Sequence, residues 1–293
     1  MEELDLSCVH IWPREVAESC LHGLGQNRSI KKVNFERCFC LNSLDNDGVG
    51  HALATTLQNN ETLQCLNIES CGMDDGTMAN ITQAIVHHPM LETLETGGNM
   101  HSLPPFMRSL HMNRVLKTLD ISLPCHETLY DVEDMLEGLC QLLQANTAND
   151  TLYMDYTMVG EDLDGSCIAQ ALTANESLRT LWLNDCRLSE EDVQVLCNGL
   201  RGNQGLQSLS LESPTVYKFD DYPTPLFEML RDNWTLRRFN IGVGEAGMEA
   251  LAYGLALNTG LEHLELTPDK AQGEILVHLS RAIVTNQSLK RSS

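Results

Sequence analysis

With 293 residues, 42% of them apolar, the chain can bury a substantial core as one elongated or two compact domains. Its 41 acidic against 19 basic side chains give a formal charge of −22, which disfavours nucleic acid and anionic membrane surfaces and favours a basic protein partner. "MEELDLSCVHIWPREVAES" has no secretory pattern, no stretch approaches the roughly 18 apolar residues of a membrane span, and eleven cysteines are scattered over the chain; the expectation is a reducing compartment, cytoplasmic or nuclear.

In chain order, a run of the form L-x-x-L-x-L or a close variant begins at positions 1, 30, 63, 91, 116, 149, 178, 206, 236, 261 and 289, at intervals of 25 to 33 residues. Its period-two alternation predicts a short strand with the Leu side inward. Each run is followed by apolar residues at helical spacing: Val16, Cys20, Leu21 and Leu24 in the first unit, then Val49, Leu53 and Leu57 in the second. Met135, Leu136, Leu139 and Leu143 follow, then Val193, Leu196, Cys197 and Leu200, and later Met248, Leu251 and Leu255. Ser189 with Asp192 three residues on predicts an N-cap, and Pro13, Pro104 and Pro105 fall near helix starts, where a missing N–H costs little.

A second marker holds the register: an apolar residue, two variable residues, usually Asn, two more, then the next unit. It runs from Leu24/Asn27/Ile30 to Ile283/Asn286/Leu289. His88 replaces the Asn before Leu91, and with His87 it reads as a solvated or helix-terminal residue. Asn149 occupies the place of a first Leu, which predicts a locally weaker strand.

These registered units resemble the leucine-rich repeat family, in its ribonuclease-inhibitor-like subtype with long, helix-containing repeats. They are also similar to Ran GTPase-activating proteins and to the repeat domains of NOD-like receptors. The resemblance implies an α/β, right-handed solenoid of about ten repeats, a horseshoe with parallel strands on the concave face and helices on the convex face. It covers residues 1–293 as a single solenoid, expected to be incomplete at the C-terminal end because "NQSLKRSS" breaks off after the first Leu of a further unit.

In the family, the residue three after the last Leu of the strand motif is usually Asn or Cys and bonds backbone groups in the turn. Cys38, Cys71, Asn99, Thr157 and Cys186 stand in that column, so these cysteines read as structural, and Cys197 as a small apolar residue on a buried helix face. "CFC" at Cys38–Cys40 with Cys71 lacks the remaining ligands zinc requires, and "HETLYD" from His126 lacks the second His of a zincin. Phosphate-binding loops and nucleophile elbows are absent, so no metal, cofactor, catalytic residue or small-molecule substrate is expected.

Strand alternation turns the third, fifth and seventh positions of each unit toward the concave surface. Nine carboxylates face two permanent cations there, and the large aromatics Tyr153 and Trp182 fall at the middle. Aromatics within an acidic field have the composition of an interaction hot spot. The expected site is Trp182, Tyr153, Glu95, Asp120, Asp155 and Glu69, binding a basic protein partner without catalysis. A second candidate surface is the aromatic segment from Pro214 to Pro225, although the favoured expectation is that Tyr217, Phe219 and Tyr222 fold back over the core. The alternative function is GTPase activation of the Ran-directed kind, with Arg28 and Arg37 as candidates by position alone.

Overall fold

The computed structural model describes residues 2–11, 13–39, 46–99, 103–123, 132–157, 165–212, 223–268 and 273–290. Cys40, the "HETLYD" segment, the aromatics Tyr217, Phe219 and Tyr222, and the acidic residues Asp45, Glu161, Asp162 and Asp164 lie outside them.

Among the described residues ten strands alternate with ten helices: β1 (Glu3–Asp5), α1 (Arg14–Gln26), β2 (Lys32–Asn34), α2 (Asn46–Asn59), β3 (Cys65–Asn67), α3 (Asp75–Val86), β4 (Thr93–Glu95), α4 (Leu103–Leu110), β5 (Thr118–Asp120), α5 (Val132–Ala145), β6 (Thr151–Tyr153), α6 (Gly165–Ala174), β7 (Thr180–Trp182), α7 (Glu190–Gly202), β8 (Ser208–Leu211), α8 (Pro223–Asp232), β9 (Arg238–Val243), α9 (Glu245–Leu257), β10 (His263–Pro268) and α10 (Gly273–Thr285). The chain divides into two compact units, Met1–Tyr153 and Met154–Ser293.

In the first unit β1 to β6 pair in parallel and in sequence order, each position of one unit facing the same position of the next. Val33, Leu66, Leu94, Leu119 and Leu152 therefore form one row, and all are buried. In the second unit β7 to β10 pair likewise, aligning Leu181, Leu209 and Phe239. Each such side chain removed from water contributes about 2 kcal/mol. No single unit could bury its row alone, because both neighbouring strands form its walls.

The Asn marker is a hydrogen-bonded ladder between units. Asn60 accepts from the amides of Thr62 (2.9 Å) and Leu63 (2.8 Å), while its Nδ2 donates to the carbonyls of Leu24 (2.8 Å) and Asn27 (3.2 Å) one unit earlier. Asn146, Asn203, Asn233, Asn258 and Asn286 repeat the pattern. His88 sits in this ladder, 2% exposed, which corrects its reading as a solvated residue; only His87 caps the end of α3 at the surface. The ring Nδ1 replaces the amide oxygen, accepting from the amides of Met90 (3.2 Å) and Leu91 (2.9 Å).

Asn149 does not shorten its strand: β6 pairs with β5 over three residues, as its neighbours do, and the Asn149 side chain turns inward and donates to the Leu116 carbonyl at 2.7 Å, while its Oδ1 is buried without a partner among the described residues. The residue before each turn column adopts positive φ: Cys8, Arg37, Ser70, Gly98, Tyr156 and Asp185. That strained conformation aims the backbone amide at the next unit, as in Ser70 to Gly97 (2.8 Å) and Tyr156 to Asn184 (2.8 Å). Ser189 and Asp192 form the expected capping box on α7.

Candidate protein-interaction face

The register converts the sequence columns into physical rows. Asn34, Asn67, Glu95, Asp120 and Tyr153 align across the first unit, and Trp182, Ser210, Asn240 and Glu265 across the second. Leucines occupy the opposite face, so these side chains are turned away from the core.

In the first unit four carboxylates, Glu36, Glu69, Glu95 and Asp120, act on one another. Burial and then the charges of Glu36 and Asp120 push Glu69 above the ordinary carboxylate range, with Arg37 opposing. Burial and then Asp120 and Glu36 push Glu95 up in the same sense, although the amide of Asn67 bonds it at 2.6 Å. Both groups are half-buried, so water screens them less than a fully exposed pair.

Several members of the row also hold the backbone. The carboxylate of Asp120 accepts from the amide of Ser122 (2.9 Å), as Asn34 does from Glu36 (2.9 Å) and Asn67 from Glu69 (2.8 Å). A short side-chain acceptor at the fifth position thus closes a turn on the seventh, a role that composition alone did not disclose. The pattern Asp5, Asn34, Asn67, Asp120 in one column was the available signal, since these residues favour such turns.

In the second unit Asp155 accepts from the backbone amide of Asn184 (2.9 Å) and from its side chain (3.1 Å). Asn184 in turn accepts from the Ser210 hydroxyl (2.7 Å) and the Glu212 amide (2.9 Å). Trp182, beside this network, is 39% exposed at the end of β7. Tyr153 is half-buried at the end of β6 in the first unit. Four of the six expected residues therefore share one row system in the first unit, and Asp155 and Trp182 lie together in the second.

The buried turn cysteines are held by backbone hydrogen bonds. Cys38 donates to the Leu6 carbonyl (2.6 Å), Cys71 to Phe35 (3.0 Å) and Cys186 to Met154 (3.0 Å). Burial pushes the thiols of Cys71, Cys186 and Cys197 up to about 12, far from the thiolate a nucleophile needs. Among the described residues no three His, Cys, Asp or Glu side chains gather as a metal site would require. Arg28 is folded onto its own turn, donating to the carbonyls of Gly25 (2.9 Å) and Asn27 (3.3 Å), and Arg37 lies 3.7 Å from Glu36. Among the described residues no helix is long and apolar enough to cross a membrane.

No family model matches the chain. It is 26% identical over 196 residues to Protein TORNADO 1 of Arabidopsis thaliana, covering 62% of this chain and 14% of that protein. It is 31% identical over 108 residues to Leucine-rich repeat-containing protein 45 of Gallus gallus, covering 34% and 16% respectively. The solved leucine-rich repeat-containing protein LegL7 of Legionella pneumophila aligns over 96% of this chain and 97% of its own, with 12% identity and a TM-score of 0.48. The chain spans less than a fifth of the length of the two curated relatives. The strand-turn-helix unit, its registered parallel pairing and its asparagine ladder form a leucine-rich-repeat fold, and the chain is similar to a relative that carries the repeat in its name.

Proposed function

We propose that the open face of the sheet binds a basic protein partner and that the chain is a non-catalytic interaction scaffold. The observation that carries this reading is the Glu36, Glu69, Glu95 and Asp120 cluster, in which burial and mutual repulsion push two carboxyls up. Carboxylates held together in partial burial are destabilised until a cation arrives, and a Lys or Arg side chain among them relieves that repulsion. Trp182 supplies the large, partly exposed aromatic surface on which interface energy concentrates. The net charge of −22 draws a basic partner to the face over longer range.

The test starts with a partner captured from native lysate and identified by mass spectrometry, then titrated against purified variants. Trp182→Ala and the double change Glu69→Gln with Glu95→Gln are each expected to weaken binding at least about tenfold, with affinity falling steeply as salt rises. Unchanged affinity in both would remove the face from the interaction. GTP hydrolysis by a panel of small GTPases is expected to proceed at its intrinsic rate with the chain present. Acceleration would replace the scaffold reading by GTPase activation.

A further inference from the structure

The helix α9 departs from the pattern of a half-buried repeat helix. Only Glu245 and Glu249 are charged among its 13 residues, and apolar or small side chains run all the way round it. A helix with that distribution is ordinarily covered on every side. Its core side is covered, with Met248, Leu251 and Leu255 buried, yet Tyr253 and Leu257 on the other side are 54% and 57% exposed. By contrast, among the described residues the exposed side chains of α7 include Glu191, Asn198 and Arg201 and no large apolar group.

The exposed side of α9 forms one wall of a groove against α8. The helices meet tightly at Gly254, where a Cβ would lie 2.8 Å from the Cβ of Leu230. Beside that contact an open groove of about 480 Å3 is lined by Phe227, Ala246, Ala250, Tyr253 and Leu257, with Glu249 among them. The two alanines leave room for a further backbone to approach. Glu249 is exposed and makes no hydrogen bond or ion pair among the described residues, whereas the neighbouring acids Glu228 and Asp232 are paired with Arg201 and Arg231.

We propose that this groove docks an amphipathic helix of a partner protein, whose bulky apolar side chains sit over Ala246 and Ala250 and whose Lys or Arg meets Glu249. The apolar walls select the helix face and the unpaired carboxylate selects the sign of its flank. A chain of net charge −22 repels an acidic helix and attracts a basic one. The site lies on α8 and α9 and shares no residue with the sheet face, so either can fail without the other.

The experiment titrates a fluorescent Leu/Lys amphipathic peptide of about 18 residues, long enough to lie along the 13-residue α9, against the whole chain and variants. Tyr253→Asp is expected to lower its affinity at least about tenfold while circular dichroism stays unchanged. Glu249→Lys is expected to weaken the Leu/Lys peptide and strengthen a Leu/Glu peptide of the same pattern. Glu191→Lys, an equal charge change on α7, should leave both affinities as they were. Equal weakening by Glu191→Lys would show general charge attraction and overturn the proposal, as would unaltered binding in Tyr253→Asp. Sedimentation should show a monomer at all concentrations; a dimer lost in Tyr253→Asp would make the groove a self-association surface instead.

Discussion

The side-chain amide of Asn203 donates to the carbonyl of Asn175 at 2.9 Å, so the turn of one repeat is fastened to the turn of the one before it. The same amide reaches the Leu172 carbonyl at 2.5 Å, and its oxygen accepts from the amides of Gly205 (2.9 Å) and Leu206 (2.7 Å). Asn203 is 4% exposed, so water cannot replace these bonds. Asn203→Ala is expected to cost about 3 kcal/mol or more, since buried donors and acceptors are left unpaired. Asn203→Asp should be comparably harmful, because a carboxylate would face two carbonyls. Urea denaturation with a lowered midpoint checks both.

His88 fills the same slot less well. Its Nδ1 accepts two amides, but the buried Nε2 forms no well-aligned hydrogen bond among the described residues and is left with a weak attraction to the Asn60 backbone. Burial holds its pKa below the ordinary histidine value. Between that lowered value and the unfolded one of about 6.5 the unfolded chain binds more protons, so this contribution to stability is lost as pH falls through about 6.5 and levels off beneath the folded value. His88→Asn is expected to raise stability by about 1 kcal/mol and to flatten that part of the profile. Thermal melts at several pH values would show an unaltered slope if the histidine were not responsible.

Gly97 lies where two strands' exits cross. A Cβ there would stand 1.9 Å from the Ser122 carbonyl oxygen, which is backbone and cannot rotate aside. Gly97→Ala is expected to cost about 1–3 kcal/mol by forcing the two turns apart. Denaturant titration measures it, and a neutral result would mean the turn can shift freely.

Glu69 and Glu95 should show opposite effects on stability and binding. Their folded pKa values are raised, so the stability they contribute is greatest below the unfolded value of about 4.3 and declines as pH rises through the raised folded values. Glu69→Gln is therefore expected to stabilise the free chain at pH 7 by about 0.5 kcal/mol, while weakening a basic partner. Melting temperature and affinity measured on one preparation test this; a fall in both would assign Glu69 to structure.

Cysteine labelling separates packing from chemistry. Iodoacetamide at pH 8 should modify the exposed Cys8 in the folded protein and spare Cys186 and Cys197, whose thiols are buried and pushed up to about 12. Peptide mapping after brief exposure reads the sites directly. Rapid modification of Cys186 would contradict its hydrogen bond to the Met154 carbonyl.

The strands and their registered rows were legible in the spacing of Leu and Asn, because burial repeats whenever the unit repeats, while their parallel order was what the resemblance to leucine-rich repeats implied. Trp182 was legible for the same reason: its place in the period turns it away from the Leu side. The double duty of Asp120 and Asp155 was not, since a carboxylate on a strand face looks the same in sequence whether it awaits a cation or holds a neighbouring amide. His88 misled for a related reason, a polar residue beside Pro89 giving no hint that its ring completes a buried ladder.

By itself, then, the sequence determined the repeat, its register and the acidic composition of the sheet face, all of which follow from periodic burial along one chain. Only the tertiary structure decided which carboxylates crowd one another, which are spent on backbone amides, and where α8 and α9 leave an apolar groove around Glu249. Those depend on distances between side chains of different repeats, and periodicity specifies the direction a side chain takes but not what it meets.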